Sequence, residues 1–248
     1  IQKGFRNIIS VGGDGTLHHV VNGVMLQRYV KSSDITIAVI PLGTGNDWIK
    51  TYNIPNSIKK AIEIISQNKR TLQDIGLLKT TNKTTYFNNV AGIGYDGYVV
   101  NKLASLKRFG FIAYLLSGLT GLLFYEKSIF KIIFNNKKLE EKCLMVVFGI
   151  CKFSGGGMQF SKELKINDGL LNITIIKNIN MIDLILNIKK LYNGQIVNHH
   201  KVVTCRTKQI TILPETTETY IQADGELIAT GYVTATIIEK AIQFIINE

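Results

Sequence analysis

Ile8-Ile9-Ser10-Val11-Gly12-Gly13-Asp14-Gly15-Thr16 is the stretch that decides the fold. A short apolar run leads into three glycines, a carboxylate and a hydroxyl. Leu17, Val20, Val21, Val24 and Met25 then recur at i, i+3, i+4, i+7 and i+8. This order predicts a strand, a tight turn and an amphipathic helix. Glycines let a backbone approach a ligand closely, and the first N–H groups of a helix have no internal partner, so the turn can cradle a phosphate. Asp14 would repel that phosphate unless a cation stood between them, which points to a magnesium nucleotide. A plain strand-to-helix turn accounts for the same five residues equally well.

A second segment repeats the design. Ile35-Thr36-Ile37-Ala38-Val39-Ile40 reads as a buried parallel strand, and Pro41-Leu42-Gly43-Thr44-Gly45-Asn46-Asp47 follows it into helix-like sequence. In an open α/β sheet, ligands collect outside the carboxyl ends of the strands, so both glycine turns are expected to face one crevice.

Taken together, VGGDGTL and PLGTGND resemble the catalytic domain shared by diacylglycerol kinases, sphingosine kinases and the bacterial soluble lipid kinases. The resemblance continues through Gln73-Asp74-Ile75-Gly76 and Asn88-Asn89-Val90-Ala91-Gly92-Ile93-Gly94-Tyr95-Asp96. It resumes at Asn167-Asp168-Gly169-Leu170-Leu171 and closes at Ala223-Asp224-Gly225-Glu226. GGDGT by itself is shared with NAD kinases and, loosely, phosphofructokinases; PLGTGND and the late Asp-Gly-Glu favour the lipid kinases. The family places one or more strand–helix units before its GGDGT loop, so the chain reads as a fragment without that first segment.

The elements after residue 80 change character. Before it, strands alternate with helices: Ser57 is placed to cap a helix with Ile58, Ala61, Ile62 and Ile65 on one face, and Asp74 to Leu78 reads as a strand. After it the pattern is mainly β. Asn135-Asn136 is a hairpin turn between Ser128–Phe134 and Lys138–Glu141, and Leu171, Thr211 and Val233 lie in further strands. One helix is expected from Met181 to Tyr192, stopped by Asn193-Gly194. The fold class is therefore an α/β N-terminal domain with an open, mostly parallel sheet, then a β-sandwich-like C-terminal domain. The domains are set at 1–80 for nucleotide and 81–240 for lipid, and the resemblance implies that 241–248 return to the first domain and that the active site lies in the cleft between the two.

Composition bounds the partners. The 248 residues are 46% hydrophobic, enough for a full core and against disorder. Cys143, Cys151 and Cys205 form neither a CxxC pair nor an even set, so no disulfide framework or zinc site is expected. The formal charge of +11 suits an anionic membrane surface, while the lack of aromatic-plus-basic or helix-turn-helix patterns argues against nucleic acid. Phe109 to Tyr125 carries no charge, yet is short for a span of about 20 residues and is softened by Gly110, Ser117, Gly118, Thr120 and Gly121. A helix across the domain seam is expected there, ahead of a lipid-facing surface helix and of a true span.

The resemblance also implies roles. Gly12, Gly13, Gly15 and Thr16 form the phosphate loop with Asp14 on the metal side; Gly43, Thr44 and Gly45 form the second turn, and Asn46 donates to phosphate or ribose. Asp47 and Asp74 would hold Mg2+ through water, although Asp47 could instead cap its helix and Asp74 bridge a turn. Asp224 is the candidate general base, supported by Glu226, although Ala-Asp-Gly-Glu is also a type I′ turn signature. Asp168 and the Leu170 position belong to a structural magnesium site of some bacterial members, weakened here because Asn167 replaces a carboxylate. His18-His19 stands where the family commonly has Asn-Glu; the core face is assigned to Leu17, Val20 and Val21, so both histidines are expected in solvent. The implied activity is ATP-dependent phosphorylation of a lipid hydroxyl by a peripheral protein at the cytoplasmic membrane face, with homodimers left open and Phe111–Phe124 as a lipid path. An NAD kinase and a non-catalytic nucleotide- or lipid-binding module are the alternatives.

Overall fold

In the computed structural model, which describes residues 1–103, 118, 121–161 and 165–247, the opening stretch folds as its pattern requires. β1 (Asn7–Gly12) turns into α1 (Asp14–Leu26), and the chain returns as β2 (Thr36–Pro41), parallel to β1 from Asn7↔Thr36 to Gly12↔Pro41. Leu17, Val21 and Val24 of α1 are buried against the sheet. α2 (Asp47–Thr51) and α3 (Ile58–Gln67) follow, then β3 (Arg70–Lys79) and β4 (Thr84–Phe87). The apolar face of α3 is rotated from expectation: Ala61 and Ile64 are buried, while Ile58 and Ile62 are half exposed.

The rest is dominated by antiparallel strands. β5 (Val90–Gly94) leads into α4 (Tyr95–Leu103). β6 (Ser128–Phe134) and β7 (Lys137–Gly149) form the expected hairpin, with Asn135 and Asn136 both at positive φ. β8 (Phe153–Ser154) and β9 (Met158–Gln159) flank a glycine loop, and β10 (Leu171–Lys177) pairs with β7 and with β11 (Val202–Thr207). The helix expected from Met181 to Tyr192 is two short ones, α5 (Met181–Leu186) and α6 (Ile188–Tyr192). They are broken at Asn187, whose side chain donates back to the Asp183 carbonyl (2.7 Å). β12 (Gln209–Pro214), the hairpin β13 (Tyr220–Ala223)–β14 (Glu226–Thr230) and β15 (Val233–Ile245) complete the chain.

β15 ties the halves together. Its first part pairs with β12 and with the end of β3; the register then shifts between Ile238 and Ile242, where Lys240 takes a positive φ of 49°. Beyond that bulge, Gln243 and Phe244 lie parallel to Thr36 and Ile37 of β2. A bulge bends a strand and raises its twist, which lets one strand serve two differently oriented stretches of sheet. One apolar core follows it through both halves, from Leu17, Ile37 and Trp48 to Phe87, Phe130, Phe148 and Phe244. A second cluster fills the other face of β7 and β10, where Leu144, Val147 and Ile176 meet Leu184, Leu191 and Ile196. Strands covered on both faces are buried at successive positions, as along residues 143–149 of β7 and 171–176 of β10.

Most of the Phe109 to Tyr125 run, and with it the suggested seam helix and lipid path, lies outside the described residues. Among the described residues no helix is long and apolar enough to cross a membrane.

Candidate active site

Two glycine turns, a hairpin turn and a glycine loop converge on one cleft of about 310 Å³, lined from both halves of the chain. Gly13, Asp14 and Gly15 come from the first turn, Thr44, Gly45 and Asp47 from the second. Asp224, Gly225 and Glu226 come from the β13–β14 hairpin, and Ser154, Gly155 and Gly156 from the loop after β8. Asn89, Val90, Asp96, Val100 and Gln222 complete the wall.

The two turns are packed back to back. A Cβ on Gly43 would stand 2.5 Å from the Gly13 Cα, so glycine is required there first for loop against loop. Asp14 does the joining: its carboxylate accepts the N–H groups of Asp47 (3.0 Å) and Trp48 (3.1 Å), capping α2 from a separate segment. Burial pushes the Asp14 carboxyl above its ordinary pKa, the two amides pull it back, and the Asp47 and Asp224 carboxylates push it up again. Asn46 sits in the left-handed region (φ 47°), and its amide donates to the Gly43 carbonyl (2.7 Å) and to Asn56 Oδ1 (3.0 Å). It closes its own turn and does not line the cleft, contrary to the donor role expected of it. Gly12, Thr16 and Gly43 likewise shape the turns from outside the cleft lining.

Asp47 accepts Lys50 Nζ (2.6 Å) and the Gly156 N–H (2.7 Å). It thus holds the Gly155-Gly156-Gly157 loop, all three at positive φ, against the second turn. Sequence reasoning passed over this loop, although three successive glycines were a visible signal. It also left Asp96 unassigned; its Oδ2 accepts Gln222 Nε2 (2.5 Å), and Gln222 Oε1 accepts the Gly225 N–H (2.9 Å).

Asp224 (φ 51°) and Gly225 (φ 84°) form the turn that the Ala-Asp-Gly-Glu signature describes, and the same turn delivers Asp224 to the cleft. The Asp224 carboxylate is held by the N–H groups of Asn88 (3.1 Å), Asn89 (2.9 Å) and Val90 (3.2 Å), and by His18 Nδ1 at 2.9 Å. His18 is therefore not in solvent: it is 4% exposed, on the inner face of α1 beside Leu17, while His19 is exposed as expected. A Cβ on Gly15 would come within 2.6 Å of Glu226 Oε1, so the bare glycine lets Glu226 reach the first turn.

The remaining acidic residues gather elsewhere. Asp74 does not line the cleft. Its carboxylate accepts the N–H groups of Gly169 and Lys240, each at 2.7 Å, and so staples the Asn167-Asp168-Gly169 turn to the β15 bulge. Burial pushes the Asp74 carboxyl up, with Asp168 and Glu239 adding to the rise. Asp168 is paired with the Arg206 guanidinium. Asp47, Asp74, Asp168 and Leu170 are thus not brought to one point. Among the described residues no group of three or more His, Cys, Asp or Glu is placed to hold a metal ion. Arg206 engages Asp168, and Asn167 offers an amide where a carboxylate would bind a hard cation more strongly.

The cleft fits a different ligand. Glycine backbone at two turns and the start of the 13-residue α1 favour an anion. Asp14, Asp47, Asp96, Asp224 and Glu226 on the same walls would repel a polyphosphate unless a cation came with it. Magnesium keeps several waters and is shared between one or two carboxylates and substrate phosphates, which suits this set.

Comparison with known proteins agrees with the geometry. Residues 1–78 match the diacylglycerol kinase catalytic domain, and residues 89–246 match the YegS C-terminal NAD kinase beta sandwich-like domain. A diacylglycerol kinase of Staphylococcus haemolyticus is 29% identical over 228 residues, covering 91% of this chain and 66% of the relative. One from Staphylococcus aureus is 30% identical over 230 residues, covering 91% and 70%. The chain thus spans about two thirds of the length of these relatives. The crystal structure of a putative diacylglycerol kinase from Bacillus anthracis superposes with a TM-score of 0.76 at 23% identity, over 99% of this chain and 79% of that one. Yeast NADH kinase shares the fold at a TM-score of 0.55 and 11% identity, over 98% and 62%.

Proposed function

This chain belongs to the diacylglycerol kinase family of lipid kinases, and from that premise we propose that it carries the part of the enzyme that moves the γ-phosphoryl group of ATP to a hydroxyl of diacylglycerol or a related lipid. The observation that carries the reading is the meeting, in one cleft, of the Gly13–Gly15 turn, the Thr44–Gly45 turn and the Asp224 turn. Phosphoryl transfer asks a protein for position and electrostatics more than for covalent chemistry. In this reading Gly13, Gly15, Thr44 and Gly45 take the phosphates and Asp14 keeps the two turns in register. Asp47 faces Mg2+, which when bound neutralises charge on the transferring group. Asp224 accepts the proton of the attacking hydroxyl, with Glu226 beside it, and the acceptor enters from the Asp96, Val100 and Gln222 side. Residues 1–80 with the chain end serve the nucleotide, and 81–240 the lipid.

We propose further that the protein works at a bilayer surface. Exposed Ile182, Ile185 and Leu186 on α5 support this, because Lys127 and Lys201 bond to Asn178 and Asp183 next to them. Apolar side chains rimmed by lysines suit anionic lipid. The rival NAD kinase reading rests on the GGDGT loop and on the shared fold. The test offers γ-labelled ATP with diacylglycerol, a sphingoid base, a polyprenol or NAD to the protein that contains this chain. A labelled lipid is expected; labelled NADP with unlabelled lipids would replace the reading.

A further inference from the structure

His18 is expected in solvent and is instead buried against the Asp224 carboxylate. We propose that it is a positioning residue for Asp224, an inference that rests on the reading of Asp224 as proton acceptor. A carboxylate only accepts hydrogen bonds, so the 2.9 Å contact with Asp224 Oδ2 requires the imidazole to carry its proton on Nδ1. Its Nε2 lies 3.3 Å from Asn22 Nδ2. Asn22 is itself fixed: it donates to the carbonyls of His18 and Tyr86 (both 2.9 Å) and accepts from Thr85 Oγ1 (3.0 Å) and the Tyr86 N–H (2.9 Å). The chain of contacts runs from β4 through Asn22 and His18 to the carboxylate.

Two features give this contact a purpose. First, His18 lies one helical turn beyond Asp14 on α1, whereas Asp224 sits on the β13–β14 hairpin, so the bond sets the distance between phosphate turn and proton acceptor. Second, the other three donors to Asp224 are backbone amides of Asn88, Asn89 and Val90. A carboxylate has about four acceptor directions, and these four N–H groups occupy them. A proton arriving from the substrate hydroxyl must displace one. Among the described partners, the imidazole is the donor that can yield by side-chain rotation. Asn Nδ2 and His Nδ1 are both bonded to Cγ, so an asparagine side chain at this position can bring a donor to the same place.

The experiment compares His18→Leu and His18→Asn in the protein that contains this chain. Loss of a hydrogen bond to a charged group corresponds to about tenfold to hundredfold in rate. His18→Leu should lose that much kcat while KM for ATP stays within about twofold, and His18→Asn should restore most of it. Parent-like kcat in His18→Leu, or equal losses in both variants, overturns the proposal. Because the leucine variant could fail to fold, nitrogen NMR of the parent protein gives a second readout: an Nδ1-protonated imidazole supports the assignment, and an Nε2-protonated one overturns it. Asp224→Asn separates this from the underlying reading. An active Asp224→Asn sinks the proton-acceptor role itself, whereas an inactive Asp224→Asn beside a fully active His18→Leu sinks only the positioning role.

Discussion

Two gatherings of carboxylates, built from motifs that look alike in sequence, do opposite work. At the cleft, Asp47 and Asp224 come from turns, line an open volume and stand with Asp14 and Glu226 around space for a ligand. At the junction, Asp74 is 1% exposed and spends both oxygens on the backbone of Gly169 and Lys240, while Asp168 is neutralised by Arg206. The cleft gathers five carboxylates around open space that a metal nucleotide could fill, whereas the carboxylates of the junction are turned onto backbone and Arg206. The lesson is that an acidic residue in a family motif is assigned by where its turn delivers it, since Asp14, Asp47 and Asp224 hold donors as Asp74 does and yet line the open cleft.

The contrast can be broken most forcefully at Asp224. Asp224→Asn should lower the rate of lipid phosphorylation about 10²- to 10⁴-fold, the usual contribution of a positioned base, with ATP affinity from calorimetry retained. A rate within a few-fold of the parent would move Asp224 to the structural side of the comparison.

Asp74→Ala should do the reverse. It orphans two buried N–H groups, so urea unfolding should show a loss of about 2–4 kcal/mol, while ATP affinity of the folded fraction is unchanged. A selective loss of nucleotide binding would instead place Asp74 with the cleft.

Glycine substitutions sharpen the picture of the phosphate turns. Gly43→Ala drives a methyl into the Gly13 backbone and should cost about 1–3 kcal/mol in thermal or urea unfolding. Gly15→Ala meets only the mobile end of Glu226 and should cost less than about 1 kcal/mol. Equal costs would mean that the two turns are not packed as described.

The smallest effect concerns pH. Burial holds the Asp14 carboxyl above its ordinary value of 3.8. A carboxyl raised in the folded state contributes stability that is complete below the unfolded pKa and is lost as pH rises through the folded one. Asn carries no such contribution, so the stability of Asp14→Asn relative to the parent should improve between pH 4 and pH 7. A relative decline over that range would mean that the amides of Asp47 and Trp48 outweigh burial.

Much of this was legible in the chain. The β1–α1–β2 unit, the Asn135-Asn136 hairpin and the Asp224 turn follow from periodicity and from residues that accept positive φ, which are properties of neighbouring residues. Eight of the residues proposed for the site, Gly13, Asp14, Gly15, Thr44, Gly45, Asp47, Asp224 and Glu226, line one cleft. Other expectations were revised by particular atoms. Asn46 turns its amide to Gly43, Asn187 breaks one helix into two, α3 rotates its buried face, and His18 leaves solvent for Asp224.

What the sequence alone determined is therefore the list of elements, the glycine turns and the family, because each is written in short spacings whose energetics are local. What only the tertiary structure decided is the partner of each charge. His18 meets Asp224 across 206 positions, and Asp74 meets Lys240 across 166. The first is set up where β13 pairs with β5 beside the Asp224 turn, and the second where β15 bends at Lys240 on its way back to β2. Burial then makes every oxygen at these contacts take whatever donor the packing delivers, since a buried polar group left unpaired is costly.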